Sequence, residues 1–355
     1  MRAWAVIETG KPLQEIELPT PEPTGRQVLL EVTHAGVCHS DIHIWEGEYD
    51  LGSRGTMRLS DRGVKLPLAM GHEVVGRVLS WGPEAEGAGL QKGQVKLVFP
   101  WVGCGHCARC LAEEDNMCLT GRSLGVYQNG GYATHILVPE PRHLVDIEGL
   151  DPALAATYAC SGVTVFSAIR KVMPMDPDAP LVLVGAGGLG LAAIAVLKAM
   201  GHRNIVSVDV GEDKLAAAQR AGATKTVLAA GEDTAKRIIE AAGAPVEAVI
   251  DLVNGSSSAR FAFDALTKGG KLVQVGLFGG ELALPLPLMP IRALTVQGSY
   301  VGNPKELRDL VAIAKTGKLP GIPITREPLR NADSALQRLR EGKVVGRIVL
   351  TAEAA

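Results

Sequence analysis

Two regimes of hydrophobic periodicity divide the chain. Up to about residue 150 the apolar residues come in short alternating runs, at 2–8, 27–33, 74–80 and 132–138. Each run is bounded by glycine, proline or charge, and a period of two predicts strands with one buried face. No run in this part carries the 3.6-residue period of a helix of ordinary length. An all-β or barrel-like first domain with long loops is expected. From residue 151 the period changes. Residues 151–173 are the first helical stretch, and six apolar strand runs then alternate with helical ones, at 180–184, 204–209, 224–228, 246–252, 271–276 and 294–299. Strands alternating with helices predict a doubly wound parallel sheet, hence an α/β protein. Beyond Tyr300 two further helices (304–316 and 332–340) and a last strand (346–350) follow.

Composition supports this division. At 355 residues, 46% hydrophobic and with 42 glycines, the chain is too long for one ordinary core, and two domains are expected. A net charge of -2 argues against a nucleic-acid binder or a protein held on acidic membranes. Residues 181–197 carry no charge, but four glycines interrupt them, so they read as strand, turn and buried helix and not as a membrane span. The alternating, charged start MRAWAVIETG reads as a strand and not as a signal peptide, which predicts a cytoplasmic protein.

The turn in that uncharged run carries chemistry. Gly185, Gly187 and Gly190 spell G-x-G-x-x-G, with Gly188 and Leu189 between them, where a strand meets a helix. In that context the pattern predicts a dinucleotide pyrophosphate on the helix N-terminus. The next strand run ends in Asp209, roughly 20 residues on, where a carboxylate would accept ribose hydroxyls and repel a 2′-phosphate. NAD is therefore expected over NADP. Lys214, one helical turn further, is a candidate ribose contact or a plain solvated lysine.

Six cysteines complete the inventory. Cys104, Cys107, Cys110 and Cys118 stand as C-x2-C-x2-C-x7-C on a loop with little periodicity. Four thiolates close a tetrahedral zinc site, so a structural zinc is expected, with a disulfide or iron–sulfur use as the alternatives. His106 is then superfluous as a ligand, and Glu113, Glu114 and Asp115 read as a solvated face. Cys38 and Cys160 remain. Cys38 opens the stretch Cys38-His39-Ser40-Asp41-Ile42-His43, and Cys160 sits among alanines in a helix, where a small core residue is the plain reading. With His72 they make a three-ligand set that leaves one zinc position open, the pattern of a catalytic site. Asp41 and Glu73 are candidates to hold the ligating imidazole from behind.

These motifs, in order along essentially the whole chain, resemble the zinc-dependent medium-chain alcohol dehydrogenases, most of all their microbial tetrameric branch. The resemblance implies a GroES-like catalytic domain over 1–160, a Rossmann coenzyme domain over 161–296, and a return to the catalytic domain over 297–355. It implies catalytic zinc on Cys38, His72 and Cys160, with Glu73 behind the metal or on it. Ser40 would take the alcohol proton and His43 would end the relay. His39 and Arg347 would meet the coenzyme phosphates, and Thr164, Val275, Ser299 and Val301 would surround the nicotinamide. Implied too are two zinc ions and NAD per subunit, a small alcohol, aldehyde or ketone as partner, and a homotetramer or homodimer. The rival within the superfamily is a polyol or sugar dehydrogenase; a non-catalytic NAD-binding protein is the rival outside enzymes.

Two stretches depart from the family pattern. Residues 46–65, with Arg54, Arg58, Arg62 and Lys65, form a longer loop than in the commonest members, either a solvated excursion or a lid or interface. Residues 92–96 replace the usual Gly-Asp-Arg-Val turn. Trp45 and Trp101 are candidates to narrow a substrate pocket, or simply to pack.

Overall fold

In the computed structural model, which describes residues 1–352, the chain builds two main sheets. One has six strands, all parallel, in the order Lys225–Leu228, Ile205–Asp209, Leu181–Val184, Ala248–Asp251, Lys271–Gln274, Thr295–Gly298. Its central strands are buried throughout and apolar up to the terminal Asp251, as a sheet covered by helices on both faces requires. The strand order reverses beside Leu181–Val184, so a ligand crevice is expected above the carboxyl end of that strand.

The second sheet is centred on Val28–Gly36. That strand pairs antiparallel with Glu73–Trp81 on one side and with Arg347–Thr351 on the other, and His135–Val138 pairs along its first half. Ile324–Pro328 lies outside Arg347–Thr351, parallel to it. The last strand therefore rejoins the first domain, and the Val37 amide donates to the Ile348 carbonyl. This pairing brings the C-terminal segment beside the Cys38 stretch.

Three local structures differ from expectation. The first domain does contain a helix, His39–Glu46, ended by Gly47 in the left-handed conformation. Its period was hidden because its buried face carries Asp41 beside Ile42, Ile44 and Trp45, so the inward stripe is not uniformly apolar. Residues 46–65 are not an irregular excursion. Glu48–Asp50 and Thr56–Arg58 pair as a hairpin, and Leu59 is buried beneath it. Finally, the helical stretch 152–172 contains a π-helical turn, Tyr158–Gly162. It is long and apolar enough to cross a membrane by length alone, but it is buried inside the protein.

Candidate active site

Cys38, His72 and Cys160 come from three distant places. Cys38 precedes the first turn of the helix His39–Glu46, His72 precedes the strand Glu73–Trp81, and Cys160 lies in the π-helical turn. Their ligand atoms lie within 4.8 Å of one another, and all three residues are buried. The two sulfurs are 3.8 Å apart. Thiolates bound to zinc at about 2.3 Å in a tetrahedron stand about 3.8 Å apart, so the set fits that ion. The thiol of Cys160 donates to Cys38, and this contact, with the facing His72 imidazole, holds Cys38 well below the usual thiol range. A π-turn explains how a helix can aim a cysteine sideways: it widens the backbone at a functional position.

Asp41 organises this set from behind. Its buried carboxylate accepts the backbone N–H of Cys38 (3.0 Å) and of Gly71 (3.3 Å), the residues at or next to two ligands. The Tyr132 hydroxyl also donates to it, at 2.9 Å. His72 Nδ1 faces Asp41 Oδ1 at 3.1 Å, somewhat out of line for a hydrogen bond, which leaves Nε2 for a metal. Glu73 takes a different place. One of its oxygens accepts the Ser161 amide at 3.0 Å and the other the Arg347 guanidinium. Burial pushes its carboxyl up to about 7 against the pull of Arg347. Both oxygens thus have partners, and Glu73 braces the turn that carries Cys160.

The expected relay residues follow Cys38 on the helix His39–Glu46. Ser40 Oγ is 3.8 Å from Cys38 Sγ. The His43 ring packs on His39 and Tyr49, at centroid distances of 5.8 and 5.0 Å. Burial, with His39 beside it, pushes His43 down to about 4. It is a neutral base at neutral pH, not a group that titrates there. Trp101 stacks obliquely on His72 at 5.2 Å and meets Tyr300 at 6.0 Å. Trp45 does not reach this pocket: its indole N–H donates to the Lys11 carbonyl inside the first-domain core.

The glycine turn has the shape a pyrophosphate needs. A side chain at Gly190 would lie 2.1 Å from the Gly185 carbonyl, and one at Gly188 would strike the Arg347 stem at 2.4 Å. At Gly187 nothing lies within 4 Å, so that face is open. The helix Gly188–Ala199 starts there with no side-chain cap, which leaves backbone donors for an anion. Asp209 ends its strand at the lip, accepting the amides of Ala186 (2.7 Å) and Gly211 (2.9 Å). Lys214 stands next to it, across Gly211. Arg347 lies beneath the turn, buried and bound to Glu73. Val301 adopts a left-handed φ of 41°, an outlier for a β-branched residue and a mark of a strained functional segment.

The four-cysteine lobe is the other donor set. Its Sγ separations of 3.9, 3.6 and 3.8 Å match the edges of one tetrahedron. His106 directs Nδ1 to the Cys104 carbonyl, at 2.9 Å. Asp115 is a correction. It is not solvated but buried, clamped by Arg142 at 2.9 and 2.6 Å, with His143 Nε2 at 3.3 Å. Both partners lie beyond the cysteines in sequence, so the local polarity gave no sign of it. Glu113 is exposed as expected and Glu114 is half-buried, paired with Arg308 and Arg109 respectively.

The comparisons with known proteins agree with this geometry. Residues 24–149 match the alcohol dehydrogenase GroES-like domain and residues 188–316 the zinc-binding dehydrogenase family. An NAD-dependent alcohol dehydrogenase of Sulfurisphaera tokodaii is 40% identical over 99% of both chains, and one of Saccharolobus solfataricus is 39% identical with the same coverage. The chain belongs to the zinc-dependent medium-chain alcohol dehydrogenases. The alcohol dehydrogenase of the archaeon Aeropyrum pernix superposes with a TM-score of 0.90, at 32% identity, covering 99% of this chain and 100% of that one. A D-arabinose 1-dehydrogenase (NADP+) of Saccharolobus solfataricus is also similar, at 29% identity over 99% of this chain and 97% of that protein.

For an alcohol dehydrogenase, the placing of unsatisfied groups is informative. Among the described residues, ten buried side-chain polar atoms have no hydrogen-bond partner. Six belong to His43, His72, Thr164, Ser299 and Arg347, all expected from sequence to serve the metal, the proton relay or the coenzyme. Buried polar groups are rarely left unpaired unless something else binds them. Val275 and Leu189, half-buried at the core edge, and exposed His39 at the helix start complete the expected lining. Sequence reasoning missed Tyr132 and Tyr49. Tyr132 lies 91 residues from Asp41 and gave no signal. Tyr49 could have been found as the one aromatic residue within 46–65.

Proposed function

We propose that Cys38, His72 and Cys160 hold the catalytic zinc, that Cys104, Cys107, Cys110 and Cys118 hold a structural zinc, and that the enzyme oxidises simple primary or secondary alcohols reversibly with NAD. The observation that carries this reading is that Cys38, His72 and Cys160 bring their ligand atoms within 4.8 Å of one another in a buried place, while six of the unpartnered buried polar atoms belong to residues expected to serve metal, relay or coenzyme. Zinc held by these three residues, with its fourth position open to the substrate, would act as the Lewis acid that lowers the pKa of a bound hydroxyl. Ser40 accepts the hydroxyl proton, and neutral His43 takes it onward toward solvent. Thr164, Val275, Ser299 and Val301 shape the wall on which the nicotinamide lies. Gly185, Gly187, Gly188, Leu189 and Gly190 receive the pyrophosphate, with His39 and Arg347 beside it. Asp209 selects NAD by repelling a 2′-phosphate, and Lys214 supports the ribose.

In this reading the catalytic domain comprises 1–160 and 297–355, and the coenzyme domain 161–296. A cytoplasmic homodimer or homotetramer fits best. Thr295–Gly298 is an edge strand, and Phe278, Leu286 and Ile291 near it are exposed. A kcat/KM panel over primary, secondary, aromatic and polyol substrates with NAD and NADP tests the function. Simple alcohols with NAD are expected to lead. Leading activity on a sugar, or with NADP, would move the protein to the sugar dehydrogenase reading.

A further inference from the structure

His43, the proposed proton acceptor, has nothing to orient it by hydrogen bonding. Nε2 is buried without a partner, and Nδ1 is 3.8 Å from the Glu46 carboxylate, beyond hydrogen-bond reach. What fixes its plane is packing. The closer ring contact is Tyr49, at 5.0 Å and tilted by 36°. Tyr49 belongs to the hairpin Glu48–Asp50/Thr56–Arg58, in register with Met57.

That hairpin cannot hold itself in place. None of residues 48–58 is fully buried, and an isolated two-stranded hairpin is marginal in water. A cavity of about 470 Å³ separates its inner side (Tyr49, Leu51, Met57) from Asn254, Gln274 and Leu277 of the coenzyme domain. It is tied across this gap at its tip. Glu281 accepts the Ser53 amide at 3.1 Å and the Ser53 hydroxyl at 2.5 Å. The Gly280 amide donates to the Asp50 carbonyl at 3.3 Å. Glu281 is itself pinned, because its own amide donates to Ser256 Oγ at 2.9 Å, at the start of the helix Ser256–Asp264. A carboxylate receiving two donors from one residue is a strong, directional tie.

We propose that Ser53 and Glu281 are positioning residues, whose clasp across the domains holds the Tyr49 ring against His43 and so sets the orientation of the proton acceptor. The inference rests on the reading of His43 as the end of the proton path. It gives the long loop a role: the acceptor is in place only when the coenzyme domain is docked on the hairpin.

The test uses the zinc-loaded enzyme and the variants Glu281→Ala, Glu281→Gln, Tyr49→Phe, Tyr49→Ala and the double Glu281→Ala/Tyr49→Ala. Glu281→Ala is expected to lower kcat on the order of tenfold, with KM for NAD little changed, and to speed tryptic cleavage at Arg54 or Arg58. Glu281→Gln, whose amide oxygen still accepts, should recover most of the rate. Tyr49→Phe should match the wild type, Tyr49→Ala should match Glu281→Ala, and the double variant should lose no more than either. Faster cleavage with unchanged kcat, or losses that multiply in the double variant, would overturn the proposal. His43→Ala run alongside separates the two ideas. If it too keeps full activity the relay itself is wrong, whereas a slow His43→Ala beside a fully active Glu281→Ala removes only the clasp.

Discussion

The two cysteine clusters of this chain use the same ligand atoms for opposite ends. The lobe draws four sulfurs from 15 consecutive residues, is partly exposed, and has no ligand position left over. The other set draws two sulfurs and one imidazole from residues up to 122 apart, is buried, and is backed by Asp41 and Glu73. A local, closed set can serve only the fold. A buried set assembled from three distant segments, with one metal position left open, can meet a substrate as well as serve the fold.

The largest expected effect breaks the second set alone. Cys38→Ser should cost about a thousandfold in kcat, the scale of losing a Lewis acid, and halve the bound zinc while thermal stability barely moves. Wild-type turnover with undiminished zinc would end the assignment. His43→Ala comes next, at about a hundredfold. Because burial holds His43 down to about 4, the loss should be uniform from pH 5 to 8 and fade only as the wild-type imidazole protonates near pH 4. A loss that tracks an ordinary histidine titration near pH 6.5 would contradict that placement. On the other side of the comparison, Cys107→Ser should lower the melting temperature strongly and release the lobe zinc. Turnover per folded molecule should stay within about threefold of wild type, since the lobe supplies no reacting group. A kcat collapse without unfolding would blur the division.

The smallest effect concerns Asp115, under the lobe. Burial raises its pKa, but hydrogen bonds from His143 and Arg142 outweigh this and hold it at about 2. A carboxylate depressed in the folded state contributes stability that is present above its unfolded pKa near 4 and is lost as pH falls toward 2. Asp115→Asn should therefore be less stable at pH 7 and lose less on acidification to pH 3. Parallel acid-unfolding curves for the two proteins would contradict the clamp.

The comparison also explains what was legible in the sequence. The lobe could be read from spacing alone, since local ligands leave a local pattern. The six-strand sheet and the glycine turn could be read too, because backbone period and the lack of side chains at Gly187 and Gly190 are local facts. Cys160 could not be read from its surroundings. Its helical stretch looks like ordinary core, and the π-turn that aims it has no signature in a run of small residues. The helix His39–Glu46 was hidden for a related reason, its inward face being given to Asp41. Asp115, Tyr132 and the Ser53–Glu281 clasp depend on partners 27, 91 and 228 residues away, and no local pattern encodes such pairs.

The division of labour between the two clusters is tested most directly by anomalous scattering from crystals at the zinc absorption edge. Two peaks per chain are predicted. One should lie within bonding distance of Cys38 Sγ, His72 Nε2 and Cys160 Sγ, with a fourth position held by water or alcohol. The other should lie inside the four cysteines, with no exchangeable ligand. A single peak confined to the lobe, or a Cys38–Cys160 disulfide in place of the first peak, would contradict the account.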